Sequence, residues 1–485
     1  MRILILGAGP AGLTAAYEAQ ARGAEVTILE ITEEVGGISK TVNRDGWLFD
    51  LGGHRFFSKV GRVEEFWHSM LEPDEFLKRP RLSRIYYNGH FFDYPLSTSS
   101  ALKGLGILEI LKCIASYFWV RISPPKDQSN FEGWVAARFG WRLYRIFFKT
   151  YTEKVWGIDA REIQADWAAQ RIKSLSLSSA ILHALGLSRR SRVITTLIDT
   201  FEYPKFGPGM MWNRVLEKIT SKGTRYLPNS HVLSIGRNTS CLEVKYTTPD
   251  GSETESFDYI VSSIPLSEIA SLCKSEDELV RNSSNRLRYR DFLTVALVLP
   301  ITNTFPDNWI YIHTPEVKVG RIQNFGSWSP FLVKEGYSCL GMEYFVSSGD
   351  EHWEMSDDDL IKLAISELRT LNIVDTSEVK AGYVVRVPRA YPVYDREYKQ
   401  SVGNIQNWLR TEWPEIYQVG RNGQHRYNNQ DHSMLTAMFA IENILDGAVH
   451  DVWAVNLDDE YHEEKKGTTE RLSPIYPSTP SSFSS

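Results

Sequence analysis

Three glycines near the start of the chain have the spacing that a dinucleotide phosphate site requires. They follow an apolar strand predicted over 2–6 and open a helix predicted over 12–21. Glycine lets the backbone turn tightly and approach a pyrophosphate, which then accepts hydrogen bonds from unpaired N–H groups at the positive helix terminus. The residues expected to contact the phosphates are Gly7, Gly9, Pro10, Ala11 and Gly12. The pattern predicts a bound dinucleotide.

Glu30 ends a second strand, predicted over 24–30, at the distance from the glycines that this kind of site needs. A carboxylate there accepts hydrogen bonds from the adenosine ribose hydroxyls and repels a 2′-phosphate. Glu30 is therefore expected to hold the adenosine end of the cofactor. The alternative is a structural glycine turn with Glu30 on the surface.

Two further glycine pairs, Gly36-Gly37 and Gly52-Gly53, follow this βαβ unit. Here the sequence resembles the glutathione-reductase-like flavoproteins of the amine oxidase and protoporphyrinogen oxidase group. The resemblance implies FAD, with the first pair supporting its phosphates and Gly52-Gly53-His54 against the isoalloxazine ring. His54 could instead be a buried histidine with satisfied partners.

A strand, a glycine-rich turn and a helix near Ser433 recur late in the chain. Their N–H groups would serve the flavin end of the cofactor. The alternative is an ordinary turn and a capped helix, since Asp431 or Ser433 suits an N-cap. The cofactor contacts expected from this run are Gly420, Arg421, Asn429, Asp431 and Ser433, and Val232 is added from the middle of the chain.

The segment 147–157 (FFKTYTEKVWG) is similar to the YTEKQWG segment of the UDP-galactopyranose mutases. The resemblance implies that Phe147, Tyr151 and Trp156 line the uracil and sugar side of a pocket. Residues four apart on a helix share a face, and a flat aromatic face can stack on a base. An ordinary amphipathic helix with a core stripe is the alternative.

Other positions agree with the same resemblance. Arg171 resembles the mobile-loop arginine of the mutases, and Arg290 resembles the arginine of their YRS segment. Tyr391 resembles the tyrosine of their YYP segment, and Tyr427 lies six residues after Arg421, as the diphosphate-binding tyrosine does. Arginine forks and tyrosine hydroxyls can clamp a diphosphate without a metal. His54, Arg171 and Arg290 are the expected catalytic residues.

The chain also departs from the mutase pattern. Val155 replaces the glutamine of that family's segment, and the residues at 423–425 and 428–429 differ as well. An extra stretch before Tyr203 contains a basic run at 188–192. The segment 201–211 (FEYPKFGPGMM) is closer to protoporphyrinogen oxidases. Because of these departures, the chain could act on a different sugar from that of the mutases, or it could catalyse a net redox reaction.

The predicted function is an FAD-dependent nucleotide-sugar mutase that interconverts the pyranose and furanose forms of its substrate. The resemblance implies that reduced flavin is the active form, with its N5 as the nucleophile, and a role in cell-surface polysaccharide biosynthesis. The alternative is an FAD-dependent oxidoreductase of the amine oxidase or protoporphyrinogen oxidase type. A binding protein without activity is a third class. The expected partners are a nucleotide-diphosphate sugar, UDP-linked by the resemblance, and, as one option, a second copy of the chain.

The expected fold is α/β with α+β insertions, in which separate stretches of the chain build one Rossmann FAD domain. The predicted organisation is 1–80, 201–265 and 411–450 for the FAD domain, 81–97 for a hairpin of the sheet domain, 98–200 for a helical lobe, 266–410 for a mixed-sheet substrate domain and 451–485 for a tail with a disordered end.

The composition of the chain narrows the remaining functional classes. A net charge of -6 gives no basic footprint for nucleic acid. The four cysteines form no CxxC pair, which favours reduced thiols in a cytoplasmic protein without a zinc site. The apolar stretch 105–120 is too short to span a bilayer. It is expected to be a buried or partner-facing helix, and a membrane-surface role is the alternative.

The cofactor prediction can be checked on the purified protein. Because the glycine pattern and Glu30 fit an adenine dinucleotide, mass spectrometry of the released cofactor should identify FAD. FMN alone, or a colourless protein that takes up no FAD, would contradict the prediction.

Overall fold

The computed structural model describes residues 1–94, 96, 98–165, 199–238 and 241–456. The strands are β1 (Arg2–Leu6), β2 (Glu25–Leu29), β3 (Thr41–Arg44), β4 (Trp47–Asp50), β5 (Phe76–Pro80), β6 (Ser83–Tyr87), β7 (His90–Asp93), β8 (Thr200–Pro204), β9 (Arg225–Leu227), β10 (His231–Arg237), β11 (Leu242–Thr248), β12 (Gly251–Phe257), β13 (Tyr259–Ser262), β14 (Tyr289–Pro300), β15 (Trp309–Ile312), β16 (Arg321–Asn324), β17 (Tyr337–Val346), β18 (Ala381–Pro392) and β19 (Ile416–Gln418).

The α-helices alternate with these strands. They are α1 (Pro10–Ala21), α2 (Gly61–Met70), α3 (Thr98–Leu105), α4 (Ile107–Ile122), α5 (Phe131–Phe139), α6 (Trp141–Tyr144), α7 (Thr150–Trp156), α8 (Pro208–Thr220), α9 (Leu266–Leu272), α10 (Glu278–Arg286), α11 (Phe325–Trp328), α12 (Glu351–Glu354), α13 (Asp357–Leu371), α14 (Tyr398–Glu412), α15 (Gly420–Gly423) and α16 (Gln430–Leu445). A π-helical turn, Arg145–Lys149, joins α6 to α7.

A five-stranded parallel sheet carries the cofactor motifs. Its strand order is β19-β13-β1-β2-β9, so the start, the middle and the end of the chain contribute to one sheet. Nearly all residues of the central strands β13, β1 and β2 are buried, as in a sheet covered on both faces. Helices α1 and α16 pack together beside this sheet. The predicted α/β class with a Rossmann-like unit is confirmed.

A seven-stranded mixed sheet, in the order β18-β14-β17-β16-β15-β6-β7, forms the second layer of the site. Its long central strands β14 and β17 pair antiparallel and are buried along almost their whole length. Strand β16 pairs with β17 in a register that puts Arg321 opposite Glu343. An ion pair therefore lies within the mixed sheet, and the Glu343 side chain in it is fully buried.

Several local predictions are confirmed, with shifted boundaries. The hairpin β6–β7 turns at Asn88-Gly89, where both residues have positive φ. Helix α1 starts at Pro10, two residues earlier than predicted, because proline suits the first helical position. Helix α16 starts at Gln430 rather than at Ser433, because Asn429 caps it.

The helical region 98–156 contains the apolar stretch that was expected to be buried or partner-facing. Helix α4 does bury Cys113, Tyr117 and Val120, but its opposite face is exposed. Within the part of the chain that the structure describes, no helix is long and apolar enough to cross a membrane.

Among the described residues, the buried His313 and His425 and the partly buried His54 are held neutral. Burial lowers the pKa of His54 and of His425 to about 4, and that of His313 to about 3. An unfolded imidazole takes up a proton below about pH 6.5, whereas these folded ones do so at a much lower pH. The unfolded chain therefore binds more protons, and stability is lost as pH falls from about 6.5 towards these values.

We predict that His313→Phe reduces this acid sensitivity. The variant keeps a flat ring against Tyr151 but has no proton to bind. Between about pH 7.5 and 5, the free energy of unfolding should fall by about 2 kcal/mol less in the variant than in the parent protein. Denaturant titrations at the two pH values measure this difference, and equal losses in both proteins would contradict the prediction.

Candidate functional site

A cavity of about 870 Å³ lies between the parallel sheet and the mixed sheet. Most of the predicted cofactor contacts line it: Gly7, Gly9, Pro10, Ala11, Glu30, Gly37, Gly52, Gly53, His54, Val232, Gly420, Arg421, Asn429, Asp431 and Ser433. Gly12 and Gly36 do not line it but shape the turns behind it. The sequence thus brings residues from distant parts of the chain to one surface.

The glycine turns leave room for a phosphate chain next to the start of α1. A Cβ on Gly37 would lie 3.3 Å from the Cα of Gly9, so the two backbones pass each other closely. Gly9 is the N-cap of α1, and because glycine has no side chain it cannot cap the first N–H groups of the helix. The helix start therefore offers its N–H groups and positive dipole to a ligand.

A second helix start lies beside the first. Gly420 adopts φ +76°, and a Cβ there would lie 2.9 Å from the Cβ of Ala11 and 4.0 Å from the Cβ of Ser433. Gly420 thus lets α1 and α16 begin at the same cavity. At the start of α16, Asp431 accepts a hydrogen bond from Ser58 Oγ at 2.9 Å. Two converging helix N-termini fit the pyrophosphate and the flavin end of a dinucleotide.

Glu30 lines the same cavity and lies beside the glycine turn at the end of β1. One carboxylate oxygen accepts from the backbone N–H of Ala8 at 2.7 Å, and the other accepts from Thr32 N–H and Oγ at 2.9 and 2.8 Å. These bonds fix the position of the carboxylate just after β2. Its oxygens have further acceptor capacity for ribose hydroxyls.

His54 lines the cavity with both ring nitrogens already partnered. Nε2 lies 3.2 Å from the carbonyl of Leu51, so it donates, and Nδ1 accepts from Ser39 Oγ at 3.3 Å. Burial, together with the positive charges of Arg421 and Arg321, lowers the pKa of His54 to about 4. His54 is therefore a neutral ring that fixes the Gly52-Gly53 loop and presents no ready proton at neutral pH.

Trp309 and Arg321 form a wall of the cavity that the sequence analysis missed. A Cβ on Gly53 would lie 2.3 Å from the Trp309 ring, so this indole lies directly against the glycine loop. Arg321 lies beside Gly52, 3.9 Å from the position of a Cβ there, and pairs with the fully buried Glu343. Arg55 covers the Trp309 ring at 3.9 Å.

Tyrosines continue this wall towards the end of the chain. Tyr391 stacks on Tyr427 with centroids 5.6 Å apart, and Arg421 lies 4.7 Å from the centre of the Tyr427 ring. Burial raises the pKa of Tyr391 to about 12, which keeps its hydroxyl neutral as a donor. Trp156 lies behind this stack, edge-on to Tyr427 at 6.3 Å and 1% exposed. It supports the wall from behind and does not line the cavity.

The other two aromatic residues that were predicted to line the pocket, Phe147 and Tyr151, also lie outside the cavity. Tyr151 stacks face to face on His313, with centroids 4.9 Å apart and planes 5° from parallel. Phe147 lies edge-on to Phe92 at 5.1 Å within the core of the helical lobe. The prediction that Phe147 and Tyr151 share a face is confirmed, since both contact His313. The face that Phe147 and Tyr151 share therefore packs against the His313 side chain.

Arg290 is a correction to the sequence analysis, because it does not line the cavity. Its guanidinium donates to Phe345 O and Ser347 Oγ at 2.5 Å, and to the carbonyls of Lys154 and Val155 at 3.5 and 3.4 Å. It therefore caps the C-terminus of α7, where a cation is favoured by the helix dipole. These bonds to the protein commit most of its donors.

Arg171 and the basic run at 188–192 lie outside the described residues. The missed pair Arg321–Glu343 did leave a sequence signal. Glu343 is the one charged residue of the strand 337–346, and a carboxylate inside such a strand needs a cationic partner. Within the described ranges, no cluster of His, Cys, Asp and Glu side chains could hold a metal ion.

Comparison with known proteins places the chain in a family. The sequence profile of the flavin-containing amine oxidoreductases matches residues 173–429, which is more than half of the chain, and a profile of NAD(P)-binding Rossmann-like domains matches residues 5–70. The chain therefore belongs to the flavin-containing amine oxidoreductase family. Its cofactor is FAD, which the two helix starts, the glycine turns and Glu30 fit.

Individual relatives match less of the chain. An L-amino-acid oxidase of Sistrurus catenatus edwardsii is 33% identical over 120 residues, which is 22% of this chain and 23% of that protein. A solved structure of reduced UDP-galactopyranose mutase superposes with a TM-score of 0.81 and 21% identity, over 94% of this chain and 97% of that one. A putrescine oxidase variant superposes with a TM-score of 0.63 and 13% identity, over 92% and 99%. These structural likenesses define the fold.

We predict that Gly37→Ala empties the cofactor site. The new Cβ would press on Gly9 where the pyrophosphate passes, and Gly37 has a φ of +54°. FAD affinity should fall at least about tenfold, measured as flavin absorbance per protein after dialysis. Gly447→Ala is the matched control, because Gly447 has a φ of +68° but no atom within 4 Å of a new Cβ. Equal FAD loss in both variants would contradict the prediction.

Proposed function

We propose that the protein is an FAD-dependent mutase of a nucleotide-diphosphate sugar, most simply UDP-linked, which interconverts pyranose and furanose rings. One observation carries the proposal. The cavity ends, beside the Gly52-Gly53 loop, in two arginines and two stacked tyrosines, Arg321, Arg421, Tyr391 and Tyr427. This is a set of donors for an anion, and it lies where a substrate would meet the flavin.

The two arginines differ in how they are held. Arg321 is paired with Glu343, which fixes its guanidinium and leaves other N–H groups free to turn to a ligand. Arg421 donates to Asn428 O at 2.9 Å, and its guanidinium lies 5.3 Å from the centre of the Tyr391 ring and 4.7 Å from that of the Tyr427 ring. Fixed cations in a site closed from water stabilise a departing diphosphate more than a bound substrate, and that difference lowers the barrier.

Trp309 supplies a flat surface at the same end of the cavity. Its indole Nε1–H is buried and has no hydrogen-bond partner among the described residues. Because the indole N–H points outward in the plane of the ring, a sugar hydroxyl at the edge of the indole would accept that hydrogen bond. Together with the neutral Tyr391 hydroxyl, Trp309 would orient a sugar against the flavin.

Reduced FAD would supply a nucleophilic nitrogen to the anomeric carbon, so no external oxidant would be consumed per turnover. The chain's own residues would then hold the sugar in place, keep water out and bind the nucleotide until it returns. The fold of UDP-galactopyranose mutase, which extends over 94% of this chain, is consistent with that chemistry.

A second candidate is an FAD-dependent oxidoreductase of the amine oxidase type. The family profile over residues 173–429 favours it, and so does the partial match to L-amino-acid oxidases. In that case the substrate would lose a hydride to oxidised FAD, and an acceptor such as oxygen would be consumed in proportion to product.

Flavin redox dependence separates the two candidates. The dithionite-reduced protein should convert a member of a nucleotide-sugar panel to an isomer of equal mass, detected by chromatography, without consuming reductant. The oxidised protein should be inactive. Product formation by oxidised protein with stoichiometric oxygen uptake would support the oxidoreductase instead.

We predict that Arg321→Lys lowers turnover and that Arg290→Lys does not. Lysine keeps the charge next to Glu343 but loses the planar fork, so turnover should fall at least about tenfold. Arg290→Lys is the matched control, because that arginine holds the end of α7 outside the cavity.

The control variant should therefore lose thermal stability, and its turnover per bound FAD should stay within about twofold of the parent. Turnover is measured per mole of FAD to remove differences in folding. If Arg290→Lys lowered turnover per FAD and Arg321→Lys did not, Arg290 and not Arg321 would contact the substrate.

A further inference from the structure

Helix α4 is apolar on two opposite faces. Cys113, Tyr117 and Val120 are buried against the helical lobe. The other side carries large apolar residues that are more than half exposed: Ile107 (75%), Leu108 (70%), Leu111 (56%), Phe118 (56%), Trp119 (60%) and Ile122 (80%). A surface helix of a water-soluble domain is normally polar on its outer side.

The exposed residues form one continuous stripe. At 100° per residue, positions 107, 108, 111, 118, 119 and 122, with the exposed Ala115, fall within one side of the helix. Sixteen residues at 1.5 Å each make the stripe about 24 Å long. Six of the fifteen exposed large apolar side chains among the described residues lie on this helix, so the stripe is not ordinary surface scatter.

The charges around the stripe are mainly positive, although the whole chain has a net charge of -6. Lys112 and Arg121 flank it on α4, and the exposed Lys103 and Lys126 lie just before and after the helix. The one acidic residue of α4, Glu109, is paired with Arg142 and lies 3.6 Å from Lys112. Asp127, which follows the helix, bonds to Ser129 and Asn130.

We propose that this stripe docks the protein on the surface of an anionic lipid membrane. The apolar side chains enter the boundary between headgroups and acyl chains, and α4 lies in the plane of that boundary. Trp119 suits the interface, because its ring is apolar and carries one polar N–H. The flanking cations face the lipid phosphates. This attachment is independent of the reaction proposed for the cavity.

The test uses the full chain with bound FAD and sedimentation with lipid vesicles. The protein should bind vesicles of equal parts phosphatidylcholine and phosphatidylglycerol, and more weakly pure phosphatidylcholine. Leu111→Glu should weaken binding at least about tenfold, because a carboxylate enters the stripe and meets anionic lipid. Lys112→Gln should weaken binding to the anionic vesicles about fivefold.

Leu279→Glu is the matched control, because Leu279 is a 57% exposed leucine on helix α10. It should bind vesicles as the parent does, and all variants should keep their FAD. A dimer in solution that Leu111→Glu splits would assign the stripe to a second copy of the chain and overturn the proposal. A monomer that does not bind either kind of vesicle would also overturn it.

Discussion

The contact between Gly12 and the carbonyl of Gly7 is the constraint on which the cofactor site depends. A Cβ at Gly12 would lie 1.8 Å from that oxygen, so no other residue allows helix α1 to start this close to strand β1. The close approach points the first N–H groups of α1 into the cavity. Gly420 repeats the constraint at the other end of the chain, where it brings the start of α16 next to Ala11.

The opposite wall depends on pairing across the mixed sheet. Arg321 and Glu343 face each other on neighbouring strands, and Gln323 donates to the same carboxylate. Burying one of these charges alone would cost several kcal/mol, so each is retained only with its partner. The result is a guanidinium fixed beside the Gly52-Gly53 loop, where we propose that the substrate meets the flavin. The helical lobe supports this wall, because Trp156 at the end of α7 packs edge-on against Tyr427.

The two walls were not equally readable in the sequence. The cofactor wall follows from local rules, because glycine spacing, a strand and a helix start lie within about thirty residues. Thus Gly7, Gly9 and Glu30 were predicted and line the cavity. The wall that we propose for the substrate depends in part on strand register, which shifts between Arg290 and Phe292 through an irregularity of β14. The family resemblance selected Arg290, which lies outside the cavity, whereas Arg321 lines it. It also selected Tyr151, whose ring stacks on His313.

We propose that the wall formed by Arg321, Arg421, Tyr391 and Tyr427 binds a nucleoside diphosphate next to the flavin. Titration of UDP into the FAD-loaded protein, followed by flavin absorbance, tests it most directly. We expect a saturable change in the flavin spectrum with UDP and a much weaker one with uridine, which lacks the phosphates. No change with any nucleoside diphosphate, together with bleaching of the oxidised flavin by an amine or amino acid, would contradict the account.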